Sequence, residues 1–515
     1  PCWNDQRLDD YETINIYMMK KLTDTSLDKL LRCFVIIFLG IGLYVFFVAL
    51  FNKSLADYDL WGYLSFGRVL WQEGFFPYQD VFSYTPTRPL WVYHEWLTGV
   101  VFFGLVKFLG PASLQLLRYI LALLTLCLIY ETARKRGGSV FDVLIALVPS
   151  ILLISFGYEP VRAQVFTFFF FTLTLYILEC SKKAENEKVL RWLPLIQIVW
   201  CNFHGGFVAG LGLIFLYAVG ETLIRRKIAV AYLKWGVIAL LVTLINPYGI
   251  HYWTYTIHAV SMLRPEITEW MSVLAALKTG RYVFPAVLFL IMSVIILLFM
   301  LMSRKKDVTD IFVTVAVIYL GTTHIRHSVL FGLVLGAYLP FYLSEYVWEA
   351  RGKSKMLFGW SRFLPVFLLA LLLAAYFHFY PVRPISFIPN IHLAVTADAY
   401  PTKAMAWMDA RDIRGNILPH FEWGEYLMWS FYPGCRVAMD GRYETVYRED
   451  VHKEYFDFLY GRKNWDVFLK KYSHDVVLLK TGTKTHELMM RQKDWRLVYR
   501  DGTGVIFMKR NIAGQ

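Results

Sequence analysis

Two carboxylates separated by a single residue, Asp57 and Asp59, stand in a polar and aromatic stretch that runs from Ser54 to Leu97. In an extended loop, residues i and i+2 point to the same side. Paired carboxylates can act as a general base and as ligands for a hard cation such as Mg²⁺ or Mn²⁺. The alternative is that the Asp-x-Asp pattern only caps the helix that follows. The stretch therefore predicts either a catalytic acid pair or a helix start.

Further ionisable and amide side chains recur beside the apolar runs of the chain. They are His94, Glu95, Glu159, Arg162, Asn202, His204, Arg264, Glu269, His324, Arg326 and His327. Singly, each is better explained by snorkelling or by a buried ion pair, for example Arg162 with Glu159. As a set on one face they predict a binding site, because arginine binds phosphate or diphosphate bidentately.

Two metal motifs are excluded. His94-Glu95 is not the start of an HExxH zinc motif, because Thr98 stands where the second histidine would be. The six cysteines form no CxxC pair, which argues against a zinc site and against a disulfide framework.

The elements that would position these residues are membrane helices. The chain is 57% hydrophobic and 18% charged, against about 25% charged residues in a typical soluble protein. Its apolar residues gather in runs of about 17–22 residues, the length of a membrane-spanning helix. The net charge of +13 comes from Lys and Arg in short loops between these runs, which is the positive-inside pattern and not a nucleic-acid-binding face.

The basic loops also predict the topology. Five anchors, at 134–136, 182–183, 225–227, 304–306 and 351–355, fit one cytoplasmic side if the run 91–109 does not cross. We predict about eleven spans, a cytoplasmic N-terminal segment 1–32, and an amphipathic or re-entrant helix at 91–109 in a first outer loop 52–111. The alternative is that a short run such as 190–203 is misjudged. Residues 1–17 are polar, and Met18 is a candidate translation start.

The composition changes near residue 385, after the membrane region 33–384. Short β-like runs alternate with helical stretches over 385–515, which predicts a small α/β domain on the outer face. Asp440, Arg442 and Glu444 are its densest candidates, and a structural Arg–carboxylate pair explains them better than catalysis. His420, Glu422 and Glu425 are further candidates to face the membrane pocket.

Several motifs together resemble the GT-C superfamily of membrane glycosyltransferases. They are ADYDLW at 56–61, PYQDVFSYT, HEWL, NFHGGF and NPYG, with a helix near 94–109 and Arg118 near the start of the next span. Protein O-mannosyltransferases and bacterial lipid A aminoarabinose transferases share this general plan. The resemblance covers roughly residues 33–380, and residues 385–515 match neither a WWDYG-bearing domain nor a known carbohydrate-binding fold.

The resemblance implies a glycosyltransferase of the cytoplasmic membrane that moves a sugar, with inversion, from a polyprenyl-phosphate donor to a glycan, lipid or protein outside the cytoplasm. One of Asp57 and Asp59 would be the base, with Asp57 preferred, and outer-face Arg and His residues would neutralise the leaving phosphate. Two alternatives stay open. One is a non-catalytic scaffold subunit of a membrane complex. The other is a lipid or glycan transporter, which would need polar residues across the membrane depth.

Overall fold

The computed structural model describes residues 54–183, 186–262, 264–351 and 388–510, together with isolated positions between 37 and 52. The part before the C-terminal domain is helical. Its helices are α1 (Leu60–Arg68), α2 (Trp96–Leu109), α3 (Ala112–Lys135), α4 (Val140–Tyr158), α5 (Gln164–Lys183), α6 (Leu193–Phe203), α7 (Phe207–Arg225), α8 (Val230–Val242), α9 (Ile250–Ser261), α10 (Val273–Thr279), α11 (Val283–Met302), α12 (Val308–Thr323) and α13 (Ser328–Arg351).

Six helices in the described part of the chain are long and apolar enough to cross a membrane. They are α3, α4, α5, α7, α11 and the segment Ile325–Glu345, which contains most of α13. The 14 residues of α2 rise about 21 Å, less than the roughly 30 Å of a bilayer core, but α8, with 13 residues, is shorter still. The non-crossing assignment of 91–109 therefore stays a prediction. The count of about eleven spans stays a prediction, since the runs 33–51 and 362–380 lie largely outside the described residues.

Close packing of α4 against α13 sets the frame of the bundle. The Ser150 hydroxyl donates to the Gly332 carbonyl at 2.7 Å. A Cβ added at Gly332 would lie 2.9 Å from Leu153 Cβ, so a larger residue would push the two helices apart. Small residues allow such close backbone approach in membrane helices. The pair matters for the site because α4 ends just before Arg162 and α13 begins just after Arg326.

A buried charge cluster lies at the opposite ends of α3 and α5 from Arg162. The Arg136 guanidinium pairs with Glu179 at 2.6 Å and with Asp310. Lys182 pairs with Asp307 at 2.6 Å and lies 3.3 Å from Glu221. Arg136 and Lys182 belong to the basic loops predicted to be cytoplasmic, whereas most of the predicted polar set belongs to the other face. The structure adds this second set, whose cations are held by carboxylates from neighbouring helices.

The C-terminal domain is built on a five-stranded sheet. Its strands are β1 (Gly415–Pro419), β2 (Cys435–Val437), β3 (Val476–Lys480), β4 (Trp495–Arg500) and β5 (Gly504–Lys509), and its helices are α14 (Thr402–Asp409), α15 (Gly424–Phe431), α16 (Tyr443–Val446), α17 (Glu449–Leu459), α18 (Asp466–Lys471) and α19 (Lys484–Met489). The strand order is β2-β1-β3-β5-β4, with β1 parallel to both neighbours and β5 antiparallel to both of its own. The predicted α/β character of this region is confirmed.

The loop that follows α1 is joined to this sheet through backbone hydrogen bonds. Val437 N donates to the Phe82 carbonyl at 3.0 Å, and Tyr84 N donates to the Val437 carbonyl at 3.3 Å. Arg88 N donates to the Val446 carbonyl at 2.7 Å. The loop therefore extends the edge of the sheet beyond β2, and the apolar core runs without interruption from the helical part into the C-terminal domain.

Buried ion pairs of Arg442 also join the first loop to the C-terminal domain. Its guanidinium contacts Asp440 at 2.6 Å and Asp80 of the first loop at 2.7 Å, and the side chains involved are 3% exposed or less. Tyr447 donates a further hydrogen bond to Asp440 at 2.9 Å. The expectation of a structural Arg–carboxylate pair at 440–442 is therefore met, with Asp80 as an additional partner.

We expect Arg442→Met to destabilise the protein by about 3–5 kcal/mol, because it leaves two carboxylates buried without their counter-charge. The measurement is thermal unfolding of the purified protein in detergent. Arg414→Met is the matched control, since Arg414 pairs with the exposed Asp409 and Asp412 and such a pair contributes about 1 kcal/mol or less. Equal losses from the two substitutions would contradict the anchoring role of Arg442.

Candidate functional site

The Asp57 and Asp59 carboxylates lie side by side at the start of α1. Asp57 Oδ1 accepts a hydrogen bond from the Asp59 amide at 3.1 Å, and the Asp57 carbonyl accepts one from Leu60 N at 3.3 Å. The Asp59 side chain makes no capping hydrogen bond, and 42% of it is exposed. The backbone therefore holds the loop in place and leaves the Asp59 carboxylate available. The Asp59 carboxylate therefore does not cap α1, which was the alternative interpretation of the motif.

Arg162, between α4 and α5, contacts both carboxylates, although the backbone at Asp59 is helical and not extended. Its Nε lies 2.6 Å from Asp57 Oδ1 and 3.4 Å from Asp59 Oδ2. Its Nη1 donates to both oxygens of Glu269, at 3.0 and 3.2 Å. Although part of the Asp59 side chain is exposed, the surrounding protein reduces its hydration, and this raises its pKa to about 6. Arg162 opposes this rise, and the like charges of Asp57 and Glu269 add to it.

The indole of Trp270, next to Glu269, lies between two guanidinium groups. Arg264 Cζ is 4.1 Å and Arg326 Cζ is 4.9 Å from the ring centroid, both within cation–π range. The Trp270 carbonyl accepts a hydrogen bond from His324 Nδ1 at 2.7 Å. The turn Thr268–Trp270 thereby brings three of the predicted cationic residues to one place.

The two arginines at Trp270 differ in what neutralises them. Arg264 forms a bidentate pair with Glu444 of the C-terminal domain, at 2.5 and 3.2 Å. Arg326 has no carboxylate partner within hydrogen-bonding distance among the described residues. Its positive charge nonetheless acts on both Asp59 and Glu95. Arg326 is therefore the guanidinium of this group that is available to an anionic ligand.

Glu95 lies at the start of α2 between two histidines. Its Oε1 is 3.4 Å from His204 Nε2 and 3.8 Å from His94 Nε2. Burial is the main cause that raises the pKa of Glu95 to about 8, the negative charge of Asp59 adds to it, and a hydrogen bond from Tyr63 opposes it. Glu95 therefore holds its proton at neutral pH, whereas Asp59 has lost most of its own.

The tautomer of His204 follows from its other contacts. Gly206 N donates to His204 Nδ1 at 2.9 Å, so Nδ1 is an acceptor and the proton is on Nε2, which faces Glu95. Thr167 Oγ1 lies 2.7 Å from the same Nδ1 and itself accepts from Trp200 Nε1 at 2.9 Å. Burial lowers the pKa of His204 well below its usual value, which keeps the ring neutral.

We expect Glu95→Gln to stabilise the protein at neutral pH and not at low pH. A carboxyl with a pKa of about 8 keeps a proton that the unfolded chain loses above about pH 4.5, so stability falls as pH rises between these values. The cost at pH 7 is on the order of 3 kcal/mol, and glutamine removes it. Thermal unfolding from pH 4.5 to 8 measures the effect. The exposed Glu449→Gln is the control, and a pH-independent gain would contradict the raised pKa.

The C-terminal domain reaches the start of α1 directly. Glu425 Oε2 accepts a hydrogen bond from the Gly62 amide at 2.8 Å, and a Cβ at Gly62 would lie only 2.4 Å from that oxygen. A Cβ at Gly441 would lie 3.4 Å from Asp59 Oδ1. Burial raises the pKa of Glu425 well above its usual value, and Asp59 and Asp440 add to the rise. Glu425 therefore contacts the first turn of α1, and whether it faces a membrane pocket stays a prediction.

Other predicted residues have structural partners. Asn202 accepts from Trp96 Nε1 at 2.9 Å, and its amide donates to the carbonyls of Ile198 and Ile245 at 2.7 and 3.0 Å, so it ties α6 to α2. The Glu159 carbonyl accepts from the buried Arg118, which holds the end of α4 beside α3. The His327 ring centroid lies 5.9 Å from that of Trp270. Sequence reasoning did not name Tyr63, the hydrogen-bond partner of Glu95, because nothing in its surrounding sequence marks it.

The two carboxylates predicted as metal ligands face a guanidinium in this structure. No group of three or more His, Cys, Asp or Glu in the described ranges could hold a metal ion. Asp57 and Asp59, the predicted ligands, already face Arg162. Mg²⁺ requires near-octahedral oxygen ligands, and a guanidinium between the two carboxylates does not fit that arrangement. A requirement for Mg²⁺ or Mn²⁺ remains an untested prediction that this geometry does not favour.

With its long apolar helices, this chain has the architecture of a multi-pass membrane protein. A scan against protein-family models found no match, and neither did a comparison with curated proteins. Solved structures do match. One is ArnT from Cupriavidus metallidurans bound to undecaprenyl phosphate, with 14% identity and a TM-score of 0.50; the match covers 92% of this chain and 97% of that one. Another is mycobacterial arabinofuranosyltransferase AftD, with 12% identity and a TM-score of 0.55; the match covers 92% of this chain and 40% of that one.

A third match is the oligosaccharyltransferase of Archaeoglobus fulgidus tethered with an acceptor peptide, with 12% identity, a TM-score of 0.50 and 87% of this chain against 69% of that one. At such identities the likeness concerns the fold. The fold that the resemblance predicts is shared with these solved structures over most of this chain.

Proposed function

We propose that this protein transfers a sugar from a polyprenyl-phosphate carrier to an acceptor hydroxyl at the extracytoplasmic face of the cytoplasmic membrane. The single observation that carries the proposal is the presence at one site of a partly exposed carboxylate, Asp59, and of Arg326, a guanidinium that has no carboxylate partner in the described part of the chain and whose charge acts on Asp59. A base and an anion-binding group are what transfer from a sugar phosphate needs. ArnT, a fold neighbour, has been solved with undecaprenyl phosphate.

Asp59 is the better base of the pair, although the resemblance favoured Asp57. The Asp57 oxygen that contacts Arg162 at 2.6 Å also accepts the Asp59 amide, so this carboxylate is committed to holding the loop. Asp59 makes only the longer contact of 3.4 Å. Its pKa of about 6 is close to working pH, where a general base is most effective.

The proposed step is an in-line displacement. The acceptor oxygen attacks the anomeric carbon as its proton passes to Asp59, and the bond from that carbon to the phosphate oxygen breaks. The electron pair leaves with the polyprenyl phosphate, whose negative charge Arg326 stabilises. Because attack comes from the side opposite the leaving group, the anomeric configuration inverts. The charge of Arg162 lies within 3.4 Å of both carboxylates and opposes the rise in the pKa of Asp59.

The experiment compares lipid extracts of a deletion strain complemented with wild-type protein or with Asp59→Asn. We expect polyprenyl-phosphate sugar to accumulate in the deletion strain and with Asp59→Asn, and not with wild type. Asp412→Asn, a change at a side chain that is 89% exposed, is the matched control and should complement fully. Full complementation by Asp59→Asn at normal protein level would contradict the catalytic role of Asp59 and favour a scaffold subunit.

A further inference from the structure

The sheet of the C-terminal domain has a topological switch point at its centre. The chain passes from β1 to β2 on one side and then to β3 on the other, giving the order β2-β1-β3 with all three parallel. In open α/β sheets, ligands bind in the crevice at the carboxyl ends of the strands where the order reverses. Here that crevice lies between the ends of β1 and β3, where His420 and Lys480 stand.

The side chains at this edge are polar and accessible. Lys480 Nζ pairs with Glu422, and their side chains are 34% and 39% exposed. His420 Nδ1 is buried and has no hydrogen-bond partner. Burial lowers the pKa of His420 to about 3, and the positive charge of Lys480 adds to this, so the ring is neutral. The edge therefore offers an ammonium donor, a carboxylate acceptor and an imidazole, with no net charge.

The same edge adjoins the proposed base. Tyr58, the residue between Asp57 and Asp59, donates to the Ala399 carbonyl at 3.3 Å. The Trp423 indole donates to the same carbonyl at 3.0 Å, and its ring centroid lies 5.3 Å from that of His420. Burial raises the pKa of Tyr58 to about 12, and the charge of Glu422 adds to the rise. The tyrosine thus links the crevice to the loop that carries both carboxylates.

We infer that His420, Glu422, Lys480 and Tyr58 form an acceptor subsite, and that the acceptor is a neutral saccharide. This inference rests on the proposed function. Each saccharide hydroxyl both donates and accepts, which matches a mixed set of donors and acceptors. A net charge of zero gives no advantage to a phosphorylated or cationic acceptor. Tyr58 is the chain neighbour of Asp59, the group that would receive the proton of the acceptor hydroxyl.

The test uses the double variant Glu422→Gln/Lys480→Met, which removes the pair without leaving a lone charge. The probe is envelope polysaccharide purified from the deletion strain, and its binding to detergent-solubilised protein is measured without donor. We expect affinity to fall about tenfold or more, as for lost hydrogen bonds to charged groups. Lys484→Met/Glu487→Gln, the same changes at exposed positions of α19, is the control and should bind like wild type.

Transfer kinetics then separate this inference from the proposed function. The double variant should raise the KM for polysaccharide and leave the KM for the polyprenyl-phosphate sugar and the thermal unfolding temperature unchanged. Unchanged polysaccharide binding in the folded double variant, or binding by wild type of a polypeptide fraction only, would overturn the saccharide subsite. Absence of donor consumption by wild type would instead overturn the proposed function, while the binding result would still decide the subsite.

Discussion

Asp59→Asn is expected to lower kcat about 10³-fold, within the 10²–10⁴-fold range that a positioned general base contributes. Asparagine preserves the size of the side chain and cannot accept the acceptor proton. The KM for donor should change little, because Asp59 faces the acceptor hydroxyl in the proposed step. In the wild type, kcat/KM should rise with pH through about 6, as Asp59 loses its proton, and the variant should lack this rise. Initial rates of polyprenyl phosphate release from pH 5 to 8 measure both effects.

Asp57→Asn is the matched comparison for this prediction. The substitution removes a negative charge beside Asp59, and Arg162 then pairs only with Asp59 and Glu269. The pKa of Asp59 should therefore fall. The rising limb should then move below pH 6 and remain visible. If Asp57→Asn abolishes the limb and Asp59→Asn keeps it, the two carboxylates have the opposite roles.

The motif at 57–59 could be found from sequence because its signal is local. A polar stretch after an apolar run is visible along the chain, and so is a pair of carboxylates at i and i+2. The partner of the pair could not be found in this way. Arg162 lies 105 residues from Asp57 and meets it only because α4 returns to the same end of the bundle. Nothing near Arg162 in the sequence distinguishes it from an interfacial arginine.

The contribution of the C-terminal domain shows a second limit. Glu425 reaches the Gly62 amide across 363 residues, and Glu444 reaches Arg264 across 180. Patterning indicated the α/β character of the domain, since strands and helices have their own hydrophobic periods. It does not determine which edge of a sheet docks on a membrane pocket. That edge is set by the backbone pairing of the first loop with β2.

The sequence alone does not show whether a basic residue beside an apolar run is exposed or buried. Arg136 and Lys182 sit in basic clusters of the kind that anchor cytoplasmic loops. In the folded chain they are buried against Glu179, Asp310 and Asp307. A lysine or arginine that follows an apolar run can lie in water or pair inside the bundle. The carboxylates that decide between these outcomes lie on other helices.

The three arginines near Asp59 also differ in whether a carboxylate pairs with them. Arg162 already has three carboxylates within 3.4 Å, and Arg264 has Glu444. Arg326 has an aromatic ring under it and no described carboxylate within reach. An arginine that is already paired must release its partner before it can bind a phosphate. Arg326 is available at no such cost, so the proposed function requires it, before the other two arginines, to bind the donor phosphate.

Arg326→Gln is therefore expected to lower kcat/KM for the donor about 10²–10³-fold, the effect of losing one group that stabilises developing charge. The loss should appear in both KM and kcat, because the phosphate is negative when bound and gains charge as it leaves. Arg326→Lys should recover part of it, since an ammonium keeps the charge without the bidentate geometry. Donor titrations with purified protein in nanodiscs measure these changes.

Arg281→Gln removes an exposed arginine that follows α10 and is the control for the change in net charge. If Arg326→Gln raised only KM, the guanidinium would bind the phosphate equally in ground and transition states and would not assist departure. If it changed neither constant, one of the paired arginines would have to exchange its carboxylate for the donor. Arg264 would then be the first candidate to bind the donor phosphate. Release of Glu444 from Arg264 would weaken the contact between the C-terminal domain and the helical part. In that case donor binding and docking of the domain would be coupled, and Glu444→Gln would tighten donor binding.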